Sequence, residues 1–195
     1  MKIHPIVYVC GILLSIAAAD ARGAVTIEVL NAAAGKYIVT YDVNVTKAES
    51  TEYVFPNHGL ISDDKKIDVV SVRETNANQK LEHEILPGID SEKKPVPGRY
   101  RVKAKFINPL PEKSVYTLEY KVILYNKNDC YVDEDGRWVF RYSTGHDAFF
   151  VLPKNHVVVF ADFPVVIFEQ QGRTVLVQKL PERRTFVIKT MPVSG

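Results

Sequence analysis

The segment that decides the fold class is Arg99–Tyr125, RYRVKAKFINPLPEKSVYTLEYKVILY. In Arg99–Phe106, basic residues alternate with Tyr, Val, Ala and Phe, and the same two-residue period returns in Tyr116–Leu124. This period is typical of β-strands with one buried side and one side in solvent. Pro109 and Pro111 lie between them, and proline lacks the N–H that strand pairing needs. The segment therefore predicts two long strands paired as a hairpin.

The rest of the chain shows the same kind of pattern, in short runs separated by turn-forming residues. The further predicted strands are Ala24–Leu30, Lys36–Thr46, Thr51–Phe55, Lys66–Glu74, Lys80–Leu86, Arg137–Tyr142, Phe149–Leu152, Val157–Ala161, Val165–Glu169, Arg173–Leu180 and Arg184–Thr190. Pro87–Gly98 is rich in proline and glycine and predicts a loop. Leu81, His83 and Ile85 are expected on the buried side of their strand. About twelve short strands and no helical period predict an all-β protein, an antiparallel β-sandwich.

The number of strands bears on domain organisation. An immunoglobulin-like unit has about seven to nine strands, fewer than are predicted here. Residues 22–195 therefore form either one enlarged sandwich or two stacked β-subdomains with a boundary within 126–136. We favour a single unit, because Arg137–Gly195 alone would have little core.

The N-terminus has the composition of a secretory signal peptide. Lys2 precedes the uncharged apolar run Ile6–Ala19, and Ala19-Asp20-Ala21 offers a small-x-small cleavage site. The run is shorter than the roughly 20 residues of a membrane span, although an uncleaved anchor is the alternative. We predict that residues 1–21 are removed and that the protein is secreted or lies in the periplasm or cell envelope, with no transmembrane segment after cleavage.

Charge and cysteine content narrow the possible functions. Removing residues 1–21 takes away Lys2 and Asp20, so the net charge stays at +2. A charge this small does not indicate nucleic-acid binding. Cys130 then remains as the one cysteine, and we predict a buried or half-buried side chain, with an intermolecular disulfide or a reactive thiol as alternatives.

A line of basic side chains is the first candidate ligand-binding site. Its members occupy alternate positions of one predicted strand: Arg99, Arg101, Lys103 and Lys105. At about 3.3 Å per residue the line is roughly 20 Å long, which suits a polyanionic glycan or another anionic surface. The alternative is a solvated strand face on which Glu82 and Glu84 of the preceding strand lie opposite the basic residues.

The polar segment Asn126–Gly136 is a candidate calcium site. Asp129, Asp133 and Asp135 supply the oxygen ligands that calcium prefers, without the spacing of an EF-hand. Such residues are equally common in plain turns, where they accept bonds from the local backbone. No other metal site and no cofactor is predicted.

No catalytic constellation is predicted. Ser143, His146 and Asp147 lie within one turn, whereas a catalytic triad converges from separate elements. The line Trp138, Phe140, Tyr142 is expected in the core. We predict no enzymatic activity; a hydrolase whose acidic residues meet only in the folded protein is the alternative.

A strongly apolar segment near the C-terminus is the candidate partner-binding site. Its predicted contact residues are Val157, Val159, Phe160, Phe163 and Phe168. Such a segment is either buried core or an exposed strand that recruits another chain. We favour an exported, non-enzymatic binding or assembly module whose partner is another envelope or extracellular protein.

The signal-peptide prediction is tested by the mass of the mature protein. The full-length chain expressed in its own host should be recovered outside the cytoplasm with an N-terminus near Arg22, as read by intact-mass spectrometry. Recovery of a chain that still begins at Met1 would contradict cleavage and favour an uncleaved anchor.

Overall fold

The computed structural model describes residues 23–45, 51–55, 60–109, 116–179 and 183–193, which form sixteen strands and no helix. The strands are β1 (Ala24–Asn31), β2 (Lys36–Val45), β3 (Glu52–Val54), β4 (Leu60–Ile61), β5 (Asp68–Glu74), β6 (Gln79–Lys80), β7 (Glu82–Ile89), β8 (Pro95–Lys105), β9 (Tyr116–Tyr125), β10 (Cys130–Val132), β11 (Trp138–Thr144), β12 (Asp147–Val151), β13 (His156–Ala161), β14 (Val166–Gln170), β15 (Arg173–Gln178) and β16 (Arg184–Pro192). The all-β prediction is confirmed. Three short strands, β4, β6 and β10, were not predicted, and the predicted signal peptide lies outside the described residues.

The strands form three sheets. The largest has the order β14-β15-β12-β1-β2-β9-β5-β6, and the second has the order β10-β11-β16-β13. In the third, β8 pairs with β7 along one side and with β3 and β4 along the other. The strand pairs are antiparallel except for β1 and β12, which run parallel with Val25 beside Ala148. A sandwich-like arrangement of mainly antiparallel sheets results.

The predicted hairpin of Arg99–Tyr125 is wrong, although both of its strands exist. β8 lies in the third sheet, whereas β9 lies between β2 and β5 in the largest sheet. Val102 and Ala104 of β8 and Leu118 and Tyr120 of β9 are buried in one common core. Alternation determines which side of a strand faces the core but not which strand lies beside it.

The predicted loop Pro87–Gly98 is also wrong, because strands occupy most of it. β7 continues to Ile89 and β8 begins at Pro95, which leaves a turn of residues 90–94. The Asp90 carboxylate accepts bonds from the backbone N–H groups of Glu92 and Lys94, both at 2.9 Å. Proline is tolerated in β7 because an edge strand need not donate from every N–H.

The expected burial of His83 and Ile85 is wrong as well. Leu81 is buried, but His83 is exposed and 42% of Ile85 remains accessible. Ile85 lies beside Val102, which is fully buried. The two positions face the same side, but β7 is an edge strand and no described strand covers it further out.

Aromatic side chains join the three sheets in the core. The rings of Tyr41 and Tyr120 stack at 4.6 Å, and Phe55, directly after β3, lies 4.0 Å from the Tyr120 ring. The hydroxyl of Tyr41 is hydrogen-bonded to that of Tyr142 on β11. Phe140 is buried, while Trp138 and Tyr142 pack against the core, so the predicted core role of this aromatic line is confirmed. Burial raises the pKa of Tyr41 to about 12, so its hydroxyl stays protonated and can donate.

The turn between β1 and β2 depends on a glycine. Gly35 has a φ of +67°, and a Cβ on it would lie 2.8 Å from the backbone N of Lys127 and 2.9 Å from the carbonyl carbon of Asn126. The Gly35 carbonyl also accepts a 2.8 Å bond from the Asn126 N–H. The turn and the loop after β9 are therefore in backbone contact.

Gly35→Ala should destabilise the protein more than Gly136→Ala does, although both glycines have a positive φ. A left-handed alanine costs about 1–3 kcal/mol, and at Gly35 the new methyl group also meets backbone atoms. Gly136→Ala is the control, since Gly136 has a φ of +76° with nothing within 4 Å of its Cβ position. Urea unfolding measures both, and equal losses would contradict the close contact.

Candidate functional site

The structure places acidic residues on both sides of the predicted basic line. The Nζ of Lys103 lies 2.7 Å from Glu84 Oε2 on β7 and 3.7 Å from Glu52 Oε2 on β3. Lys105 is aligned with Glu52 and with Glu82. Hydrogen bonding between Lys103 and Glu84 raises the pKa of the lysine and lowers that of the carboxyl group, so both stay charged at neutral pH.

At the other end of the basic line, Arg99 and Arg101 have no acidic residue directly opposite them in the sheet. Arg101 donates from Nε to the carbonyl oxygen of Pro87 at 3.0 Å, and Arg99 is exposed opposite Ile61 of β4. An open groove of about 420 Å³ follows the β7–β8 hairpin beside Arg99, lined mainly by prolines and aliphatic side chains. Binding of an anionic ligand along the whole line stays a prediction, and the acidic neighbours favour the alternative of a solvated strand face.

Within the predicted calcium segment, the side chain of Asp133 is held by cations. Asp133 Oδ2 lies 3.0 Å from Arg137 Nε and 3.2 Å from Lys189 Nζ, and Arg137 also pairs with Asp135. Burial raises the pKa of Asp133, but bonds from the Arg137 backbone and from the Lys189 and Arg137 side chains outweigh it and lower the pKa to about 2. These contacts are those of a charged turn, and the ion pair with Lys189 links the segment before β11 to β16.

Asp129 has a different role in the same segment. Its Oδ2 accepts a 3.2 Å bond from the Tyr37 hydroxyl and a 2.7 Å bond from Asn126 Nδ2. The described residues contain no group of three or more His, Cys, Asp or Glu side chains placed to hold a metal ion. Calcium binding by Asp129, Asp133 and Asp135 stays a prediction.

Cys130 is the first residue of β10, in a segment predicted to be a loop. Its side chain is fully buried, which confirms the predicted burial. Burial and, to a smaller extent, the negative charge of Asp129 raise its pKa to about 12. Since the thiolate is the reactive form, burial and the raised pKa both disfavour reaction of this thiol at neutral pH.

Two carboxylates missed by the sequence analysis lie on the polar side of the largest sheet. Asp42 of β2 is directly opposite Glu119 of β9, and Glu119 lies 3.6 Å from Arg73 Nε. Burial and the charge of Glu119 raise the pKa of Asp42. Each residue occupies a polar position of its own strand, but only the pairing of β2 with β9 brings them together.

One apolar surface area lies on β13, at the end of β16 and on the residue after it, and is here called the β13 patch. Its five members are each 41–50% exposed: Val157, Val159, Phe160, Met191 and Val193. Val157 is paired with Met191, and the Val193 N–H donates to the Asn155 carbonyl at 2.7 Å. Phe160 is paired with Lys189, so the apolar residues of the patch border a basic residue. Clusters of exposed apolar residues can mark interaction sites.

The structure divides the predicted partner-binding residues into three groups. Val157, Val159 and Phe160 lie in the β13 patch, and Phe168 lies on β14. Phe163, between these strands, is partly buried under the Arg184 guanidinium at 4.2 Å. Met191 and Val193 were not predicted, because the last strand was expected to end at Thr190.

Comparison with known proteins finds similarity in structure but not in sequence. No protein-family model matches the chain, and no curated protein matches it. Among solved structures, an M1 zinc metallopeptidase from Deinococcus radiodurans superposes with a TM-score of 0.52 at 10% identity, covering 87% of this chain and 41% of that one. A mutant two-domain M1 zinc metallopeptidase bound to L-tryptophan gives 0.51 at 9% identity, with the same coverage.

The similarity shows the fold alone. This chain spans about two fifths of the length of those peptidases. Within the described ranges, no helix is long and apolar enough to cross a bilayer.

The contacts of Asp133 predict a specific dependence of stability on pH. Because its pKa is lower in the folded than in the unfolded protein, ionised Asp133 stabilises the fold at pH values above about 3.9, the pKa of an unfolded aspartate. This contribution disappears as the pH falls toward 2. Asp133→Asn should therefore lower the free energy of unfolding at pH 7 and converge with the wild type near pH 2. Urea titrations across this range measure the difference, with exposed Glu134→Gln as the control; a constant difference would refute the ionic contribution.

Proposed function

We propose that this protein is an exported, non-enzymatic binding module that associates with another envelope or extracellular protein through the β13 patch. The observation that carries the proposal is the exposure of five large apolar residues on β13, on β16 and directly after β16. The segment His156–Ala161 contains no Lys, Arg, Asp or Glu. Water contact with such a surface is unfavourable, and a partner that covers it gains about 25 cal/mol for each Å² of apolar area buried.

The position of the patch supports association with a folded surface. β13 is the last strand of its sheet among the described strands, so residues on it can be reached from the side as well as from the face. The register of β13 on β16 shifts between Val158 and Phe160. A bulge of this kind disfavours the addition of another strand, which favours contact through side chains over strand addition.

Substitution within the β13 patch tests the proposal. Phe160→Lys should weaken capture of the partner from an envelope extract of the host by at least about tenfold, because an ammonium group would be buried in an apolar interface. The bound proteins are quantified by mass spectrometry after gentle elution.

Ile107→Lys is the matched control, since Ile107 is also a large apolar residue, 65% exposed, and lies outside the patch after β8. The control should bind as the wild type does. A partner that binds both variants equally well would refute the β13 patch as the binding surface.

A further inference from the structure

β14, one of the two edge strands of the largest sheet, is less protected against pairing than the other edge strands. Exposed edges are usually blunted by shortness, charge, proline or a bulge. At the opposite end of this sheet, β6 has two residues, one of them Lys80. In the third sheet β7 carries Glu82, Glu84 and Pro87, and β3 and β4 have only three and two residues. In the second sheet β10 has three residues and β13 is bulged.

β14 has only one of these features, the charged residue Glu169 near its C-terminal end. It contains neither proline nor lysine, and its five residues pair with β15 in an unbroken register. Among the described strands β15 is its one neighbour, and none of them pairs with its other side. Val166, Ile167 and Phe168 are 67%, 54% and 39% exposed. An exposed edge strand that is regular and largely apolar is a site for the addition of another strand.

The order of residues in β14 fits a second copy of itself. In an antiparallel pair related by a two-fold axis through Ile167, Ile167 faces its own counterpart and Val166 faces Phe168 of the other copy. All three central pairs are then apolar. Glu169 falls opposite Val165, and the two Glu169 residues are separated by about 13 Å along the strands, which exceeds the screening length of about 8 Å.

Other two-fold registers fit less well. An axis through Phe168 would place Glu169 opposite Ile167 and Gln170 opposite Val166, so Phe168 facing its own counterpart would be the one apolar pair within β14. An axis through Val166 would place Phe168 opposite Pro164, which has no N–H to donate and precedes the strand. The register centred on Ile167 alone keeps three apolar pairs within β14.

Both faces of β14 continue apolar rows of its own sheet. Ile167 lies beside Leu176, which is fully buried in the core, and Phe168 lies beside Val175, which is 3% exposed on the other face. Pairing across the axis would lengthen both rows, so each face gains apolar contact from the second copy.

We propose that β14 pairs antiparallel with β14 of a second copy about a two-fold axis at Ile167, giving a symmetric dimer with one continuous sheet of sixteen strands. The interface is isologous and therefore closes at two copies. It involves a different strand from the β13 patch and does not rest on the function proposed for that patch.

The oligomeric state of the mature protein tests the dimer. Analytical ultracentrifugation over a concentration series should show a monomer–dimer equilibrium for the wild type. Ile167→Lys should raise the dissociation constant by about a hundredfold or more, because it places two like charges opposite each other in the interface. Ile107→Lys, an exposed control elsewhere, should leave the dimer unchanged. A wild type that is monomeric throughout, or an Ile167→Lys dimer of unchanged affinity, would overturn the proposal.

Cysteine substitution tests the axis itself. Residues on the axis have Cα atoms about 4.5–5.5 Å apart in antiparallel strands, within the range for a disulfide. Ile167→Cys should therefore form a covalent dimer on mild oxidation, and Glu169→Cys should not. Cys130 does not interfere because it is buried, and Cys10→Ser in both variants removes the remaining thiol. Covalent dimers from Glu169→Cys in place of Ile167→Cys would overturn the register.

Discussion

The structure depends on the contact of buried tyrosines across its three sheets. The stacked pair Tyr41–Tyr120 belongs to the largest sheet, Phe55 reaches it from the third, and Tyr142 reaches it from the second through its hydroxyl. A buried hydroxyl costs free energy unless it is hydrogen-bonded, so the bond between Tyr41 and Tyr142 fixes how these sheets meet. Cys130 is a free, buried thiol, so no disulfide links the described residues and the fold rests on this packing.

The same core explains why apolar residues remain exposed at its margin. β13 and β14 follow each other in the chain, yet each is the last described strand of a different sheet. Core side chains such as Phe186 and Leu176 lie one strand further in, and nothing in the described chain covers the next row. The two edges nevertheless differ, since β13 has a bulge and β14 is regular. This difference separates a side-chain contact surface from a strand-pairing edge.

Charged residues show how neighbouring strands alter the meaning of a sequence pattern. The alternation of basic and apolar residues in Arg99–Lys105 is a property of β8 alone and could be predicted from the sequence. The opposition of Glu84 to Lys103 was anticipated because β7 and β8 are adjacent in sequence, whereas Glu52 comes from β3, fifty residues away. The Asp42–Glu119 pair had no local signal at all. Pairings between distant strands were inaccessible because each depends on the order of strands in a sheet.

Sequence by itself determined the all-β class, most of the strands and the buried side of the long ones, because a two-residue period is a local property of the backbone. It also identified Val157–Phe168 as apolar, although not whether this segment was core or surface. Tertiary structure alone decided that β8 and β9 lie in different sheets, that Ile85 is exposed and that Met191 and Val193 join the β13 patch. Strand order decided all of these, and burial at a sheet edge depends on whether another strand lies beyond it.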